Sequence, residues 1–328
     1  MNIVASVFTF LAGLGVFLLG MKLISVHMQG LAADNIKHML SKTSNNKLAS
    51  VGLGVGASFL LQSSTATTVI LLGLVNAGLV NLFQSALIIM GANIGTTFTV
   101  LFFSFSYLPI SEILSSCALI GVFMVLAAKN PKIALAGWVV SGFGLIFIGL
   151  NMMSNGVDFL KTSEVFSKLL LSLDNMVLLV IVGLLFSAIT QSSNATTGVV
   201  ITLAEAGLMP VTAAFAIIMG SNVGTCVTAM LASVGTSLNA RRAAVIHLMY
   251  NAAGVMLFLP FVMVGRASID RALSSTFTPS LSVAYFHILF NMVTTILLLP
   301  FAKNLTELAI KCVPEKNSSR SKIMTKTG

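Results

Sequence analysis

The stretch Gln62-Ser63-Ser64-Thr65-Ala66-Thr67-Thr68 lies near the middle of an otherwise apolar run, residues 48–80. It returns 129 positions later as Gln191-Ser192-Ser193-Asn194-Ala195-Thr196-Thr197, near the middle of residues 177–208, with six of seven residues identical. Each run has about 33 residues, whereas a straight helix crosses hydrocarbon with ~20. The arm on either side of the motif has only about 12–14 residues, too few to cross alone. The economical solution is a re-entrant hairpin that enters and leaves on one side, with the polar motif at its tip near mid-membrane. Irregular backbone at that depth is tolerated only where it is buried in protein or faces water.

The same shift of 129 superimposes the rest of the chain. Ile88–Thr96 falls on Ile217–Thr225 with seven of nine residues identical, Ala77-Gly78-Leu79 falls on Ala206-Gly207-Leu208, and Gly20 falls on Gly149. A register that holds across several blocks without a gap is the mark of duplication. The medium is lipid. Of 328 residues 56% are hydrophobic and 8% charged, with a mean hydropathy of +1.00, against about 25% charged in a soluble domain. That composition excludes a soluble enzyme, a disordered chain and a nucleic-acid-binding domain. Full spans are expected near 7–28, 83–107, 110–128, 133–155, 211–235, 243–265 and 282–301. The runs 29–47 and 156–176 read as amphipathic segments at the interface. With hairpins, the first half makes an odd number of crossings, so the second half starts from the opposite side. The expected fold is therefore all-α and integral to the membrane, with two inverted repeats, each carrying a re-entrant hairpin and a broken transmembrane helix. The repeats are residues 1–132 and 133–265, followed by a further span within 266–301 and a basic, flexible tail, 302–328.

The net charge of +9 reads as topology rather than as a polyanion partner. The hairpin arrangement puts thirteen Lys and Arg on one side (Lys37, Lys42, Lys47, Lys129, Lys132, Arg241, Arg242 and the six of the tail) and four on the other (Lys161, Lys168, Arg266, Arg271). The positive-inside bias makes the first side cytoplasmic. Lys22, inside the first span, is expected to snorkel to that side. The first apolar run has no basic region before it and reads as a retained span rather than a cleaved signal. Cys117, Cys226 and Cys312 show no metal or disulfide spacing. The scattered His, Asp and Glu form no catalytic constellation, so an enzyme is not expected, nor any cofactor.

Polar atoms concentrate in four short stretches, 62–68, 91–97, 191–197 and 220–225, and none of these carries a charge. The second and fourth contain Gly-x-Asn-x-Gly-Thr. Two glycines four apart serve either close helix packing or unwinding of the helix; the Asn and Thr among them favour unwinding. Helices restarting near Thr67, Thr97, Thr196 and Thr225 would aim four positive dipole ends at one centre. Such a centre suits a small oxyanion without any Lys or Arg in the site. Carbonyl, hydroxyl and amide oxygens there form a neutral cage suited to sodium, whereas calcium or magnesium sites normally include carboxylates.

Paired Gln-Ser-Ser motifs, each followed by Gly-x-Asn-x-Gly-Thr, resemble the type II sodium–phosphate cotransporter family across both repeats. The resemblance implies sodium-coupled transport of inorganic phosphate across the plasma membrane by an elevator-like mechanism, in a homodimer. Carried over, the phosphate site comprises Gln62, Ser63, Ser64, Thr65 and Asn93 with Gln191, Ser192, Ser193, Asn194 and Asn222. The family's sodium site corresponds to Gln191, Ser192, Ser221, Thr225 and Thr228. A weaker counterpart in the first half is Gln62, Ser63, Thr96 and Thr99, where Ala92 stands in place of a serine. The chain departs from electrogenic relatives in having no acid between Asn93 and Glu112. A phosphate exporter, or a carrier of another oxyanion on the same scaffold, is the second reading; a channel is less favoured because inverted halves serve alternating access directly.

Two further features stand out. His247-x-x-x-Asn251 and His287-x-x-x-Asn291 each put His and Asn on one helix face, which reads as interhelical hydrogen bonding. Glu205 and its counterpart Asn76 read as the interfacial ends of the hairpins. His27 also reads as interfacial, and Asp34, Asp158, Glu164 and Asp174 as solvated.

Overall fold

The computed structural model describes residues 3–41, 46–107, 110–160 and 175–315, the side chains of 158–160 excepted. Those residues are helical, apart from short turns. The first half contains α1 (Ile3–Ser41), α2 (Lys47–Leu61), α3 (Ser64–Asn76), α4 (Leu82–Ser104) and α5 (Ser111–Ala127). The second half contains α6 (Pro131–Leu160), α7 (Met176–Thr190), α8 (Ser193–Glu205), α9 (Val211–Gly224), α10 (Cys226–Ala232) and α11 (Leu238–Ser274). Then come α12 (Pro279–Leu298) and α13 (Ala302–Cys312). Among the described residues six apolar helical stretches are long enough to cross a membrane: Val4–Ser41, Leu82–Tyr107, Pro131–Val157, Val211–Ala232, Leu238–Ser274 and Pro279–Leu298. The span expected over 110–128 is the 17-residue α5, roughly 25 Å long at the helical rise.

The duplication is carried through to backbone detail. Helices α2 and α7, and likewise α3 and α8, have identical lengths and begin and end 129 residues apart. Asn46 and Asn175 cap α2 and α7 through their side-chain oxygens, and Ser63 and Ser192 cap α3 and α8. Glycines weld each hairpin to the helix that follows it. A side chain on Gly91 would collide with the Val51 carbonyl and one on Gly95 with the Val55 carbonyl; Gly220 and Gly224 stand the same way against Val180 and Leu184. Since 51 pairs with 91 and 55 with 95, α2 runs parallel to α4. The chain must therefore double back through α3, so α2 and α3 are the two arms of a hairpin. The second half repeats this with α7, α8 and α9.

Helices α1 and α6 pack in the opposite sense. Gly13 approaches the Gly149 carbonyl and Gly20 the Gly142 carbonyl, so the two run antiparallel. The contacts are reciprocal, because the shift of 129 carries residue 13 to 142 and 20 to 149. Helix α11, 37 residues long and so roughly 55 Å, links two distant faces. At its start, the Ser237 amide donates to Asn76 Oδ1 at 2.7 Å, and Arg242 Nε donates to the Val313 carbonyl at 3.0 Å. Near its end, Asp270 accepts from the Thr212 amide at 3.0 Å and from its hydroxyl at 2.7 Å. Glu205 Oε1 accepts from the Ser280 amide at 2.7 Å. The base of the first hairpin thus meets the start of α11. The base of the second lies with the starts of α9 and α12, at the level where α11 ends.

Several expectations are corrected. Helix α4 is unbroken through Gly91–Thr97. Its glycines serve packing, and its polar side chains are satisfied within the helix: Asn93 Nδ2 donates to the Ile89 carbonyl at 2.9 Å and Thr97 Oγ1 to the Ile94 carbonyl at 2.7 Å. No helix restarts at Thr97, so a broken helix in each repeat does not hold. In the second half a single turn residue, Thr225, separates α9 from α10, and it keeps right-handed dihedrals (φ −65°, ψ −20°) with its amide donating to the Ser221 carbonyl at 3.1 Å, so the helix does not unwind there either. Residues 29–41 continue α1 instead of lying apart at the interface. Most of 156–176, with Lys161, Glu164, Lys168 and Asp174, lies outside the described residues, as do Lys42 and residues 316–328. Helix α11 runs through the boundary expected at 265/266, and the first part of the expected flexible tail is the helix α13.

Candidate functional site

Each hairpin tip is a two-residue reversal. Helix α2 ends in Gln62, which is left-handed at φ 53°; α7 ends in Gln191 at φ 54°. They are the only non-glycine residues with positive φ among the described ones. The left-handed conformation costs an ordinary residue roughly 1–2 kcal/mol, a cost glycine escapes. Finding glutamine at both places points to a use for its side chain. The next residue is extended and starts the return arm: Ser63 Oγ accepts from the Ala66 amide at 3.1 Å, and Ser192 Oγ from the Ala195 amide at 3.2 Å. Each serine hydroxyl is anchored as an acceptor and keeps its proton to donate.

The two tips touch. Asn194 Nδ2 donates to the Gln62 carbonyl at 3.3 Å, a bond between residues 132 apart in sequence. Around this contact lies a cavity of about 520 Å³. Gln62, Ser63, Ser64 and Thr65 line it from one tip and Gln191, Ser192, Ser193 and Asn194 from the other, joined by Thr96 of α4 and Thr228 of α10. Asn93, Thr99, Ser221, Asn222 and Thr225 are buried and do not line it. Ser221 and Thr225 spend their hydroxyl protons on the Ile218 and Asn222 carbonyls, at 2.9 and 2.8 Å. Asn222 is held elsewhere: its Oδ1 lies 3.1 Å from His287 Nε2 and its Nδ2 donates to Asn291 Oδ1 at 3.1 Å. Asn251 Nδ2 donates to Cys226 Sγ at 3.3 Å. His287, Asn291 and Asn251 thus make interhelical bonds, with Asn222 part of that network, whereas both ring nitrogens of His247 are buried without a hydrogen-bond partner.

The charge in the wall differs from expectation. Two helix starts, those of α3 and α8, meet at the cavity instead of four, together equivalent to about one positive charge. The first amides of each have no acceptor within the helix. The remainder comes from Lys22, which lines the cavity with Ser25 and Gln29. The site therefore does hold a cationic side chain. Sequence reasoning missed this face of α1. The only signal was Lys22, Ser25 and Gln29 at i, i+3 and i+7, which places them on one stripe. Two residues of the cavity wall, Asn194 and Thr228, each have a side-chain oxygen, Oδ1 and Oγ1, buried without a hydrogen-bond partner. Both are oxygens that can serve as acceptors or cation ligands. On the far side of the tips the wall is sealed: a Cβ on Gly198 would meet the Phe17 ring at 2.6 Å, and Phe17 is fully buried.

A multi-pass helical membrane protein with two polar turns converging on an internal cavity has the construction of a solute carrier. The chain belongs to the Na+/Pi-cotransporter family, whose profile matches residues 16–155 and again 149–275. Members of this phosphate-transport family are not enzymes, and the chain is a multi-pass protein of the plasma membrane. It is 28% identical over 303 residues to YqeW of Bacillus subtilis (strain 168), an uncharacterized protein, covering 92% of this chain and 96% of that one. It is 28% identical over 297 residues to YjbB of Escherichia coli (strain K12), named for inorganic phosphate export, an assignment its name marks as provisional. That match covers 89% of this chain and 53% of YjbB. Over 94 residues it is 38% identical to the sodium-dependent phosphate transport protein 2A of Ovis aries, 27% of this chain and 15% of that one. No solved structure matches.

Proposed function

We propose that the chain is a sodium-coupled symporter of inorganic phosphate that works by alternating access between inverted repeats. The observation that carries this reading is the meeting of the two tips. Two helix starts, two left-handed glutamines and the Ser63 and Ser192 hydroxyls converge on one cavity, and this donor set suits a tetrahedral oxyanion. The phosphate ligands are Gln62, Ser63, Ser64, Thr65, Gln191, Ser192, Ser193 and Asn194. Sodium is held on the side of Thr228, whose buried hydroxyl has no other partner, with Gln191 and Ser192 beside it.

Inversion is supported by the antiparallel packing of α1 and α6. Counterparts related by an axis along the membrane normal would run parallel. The hairpin bases at opposite ends of α11 support it too. Each hairpin, welded through glycines to its following helix, is then the unit that moves past α1 and α6. The protein acts as a homodimer, with the face bearing Lys37, Lys47, Lys129, Lys132, Arg241 and Arg242 in the cytoplasm. Chemical crosslinking in the membrane checks the first point and side-specific labelling of Cys312 the second.

Radiolabelled phosphate flux in proteoliposomes tests the whole reading. Uptake should require a sodium gradient, and equal uptake with choline in place of sodium would reject the coupling. Export is the second reading, favoured by the likeness to YjbB. It expects phosphate to leave loaded vesicles independently of sodium.

A further inference from the structure

The cavity is lopsided. Beyond the tips it extends between α1 and the return arm of the first hairpin, where Lys22, Ser25, Gln29, Val69 and Ile70 line it. Residues 29 and 70 lie farther along α1 and α3 toward the face holding the first hairpin's base. Of the residues 129 positions on, Asn151, Ser154, Gly198 and Val199 do not line it, and the side chain of the fifth, Asp158, lies outside the described residues; at Gly198 the Phe17 ring closes the wall. The site is therefore open on one side, and Lys22 stands in that opening. Its side chain is exposed, and it makes no ion pair with a described residue. An ammonium inside a span is costly unless it faces a water-filled cavity. Gln29 Nε2 donates to Ser25 Oγ at 3.3 Å, which joins these two along the polar stripe of α1.

We propose that Lys22, with Ser25 and Gln29, forms a one-sided vestibule that gathers a small multivalent oxyanion and passes it to the hairpin tips. Access from the other side would use the repeat-related stripe, where Asn151 replaces Lys22 and Asp158 replaces Gln29, so that it holds no cation and carries an acid. The vestibule favours the anion from one face only. A cation at the mouth of a low-dielectric cleft raises local anion concentration about tenfold or more. The inference rests on the phosphate reading above for its ligand.

Two measurements on the full chain decide it. In proteoliposomes of fixed orientation, Lys22→Gln should raise the half-saturating phosphate concentration about tenfold when phosphate enters from the face of the first hairpin's base. Entry from the opposite face should be unchanged, and Lys22→Arg should restore the loss. No change, or an equal change at both faces, overturns the vestibule. The second readout does not depend on transport. Ser25→Cys, in a chain also carrying Cys117→Ser and Cys312→Ser, is modified by anionic and neutral thiosulfonates of similar size. The anionic-to-neutral rate ratio should fall several-fold on adding Lys22→Gln, and an unchanged ratio overturns the proposal. If the unsubstituted protein carries no phosphate while this ratio still falls, the phosphate reading fails and the anion-gathering role of Lys22 stands.

Discussion

The two halves share a hairpin to the residue and part company in the helix that follows. In the first half that helix, α4, runs unbroken for 23 residues. In the second, its counterpart Val211–Ala232 is marked by a single turn residue, Thr225, whose amide still donates to the Ser221 carbonyl at 3.1 Å. The glycines that weld the helix to the hairpin are the same in both, so packing does not cause the difference. What differs is chemistry: buried Ser221 against buried Ala92, and an unpartnered Thr228 that lines the cavity against a buried Thr99 that does not. Duplication supplied two equal frames, and they offer the cavity different hydroxyls, Thr96 from the first and Thr228 from the second. The two sites are expected to be unequal for that reason.

The comparison breaks most severely at the welds. Gly91→Ala and Gly220→Ala each force a methyl into a facing backbone carbonyl. Both should cost about 3 kcal/mol or more, and the two losses should match, read as folded yield and thermal midpoint in detergent. Unequal losses would mean the halves are not packed alike.

Next come the tips. Gln62→Gly and Gln191→Gly relieve the left-handed backbone and should gain about 1 kcal/mol of stability, while removing amide groups from the cavity. Phosphate affinity should fall about tenfold or more for each, as the midpoint holds or rises. Parallel falls in both quantities would make the glutamines structural.

The sodium dependence sharpens the contrast. Thr228→Val keeps shape and deletes a buried hydroxyl with no internal partner, so the fold should not weaken. The sodium concentration for half-maximal phosphate uptake should rise about tenfold. Thr99→Val should move it less than about twofold; equal shifts would return the two halves to parity.

The smallest effect lies at the bases, where Glu205 and Asn76 accept from the first amides of different helices. Glu205→Gln keeps the acceptor and loses the charge that favours a helix start, about 0.5 kcal/mol. Asn76→Asp should gain about as much, and both are read from thermal unfolding.

The hairpins were legible because length and polarity conflict there: an apolar run too long for one crossing carries a polar motif where its arms are too short for two. The caps at Asn46 and Ser63, and their repeats, follow from the same register. The continuity of α4 was not legible. Gly91-x-Asn93-x-Gly95 suits either unwinding or close approach, and only the carbonyl of Val51, forty residues away, decides between them. Lys22 was misread for a related reason. An amphipathic stripe says which residues share a face but not what that face meets, so a side chain expected to reach for the interface lines an interior wall. The joining of 29–41 to α1 and the helical start of the tail likewise depend on neighbours that a local pattern does not name.

The welds carry one more consequence. Between Gly91 and Val51, and between Gly220 and Val180, main chain rests on main chain, with no intervening side chain to change rotamer and absorb displacement. Each welded pair is therefore stiff along its length, like two planks glued face to face, and its tip cannot advance without its base. On the alternating-access proposal, any stroke of the tips must be sheared out elsewhere, along the outer surfaces of these planks and in the short spans of chain that tether them.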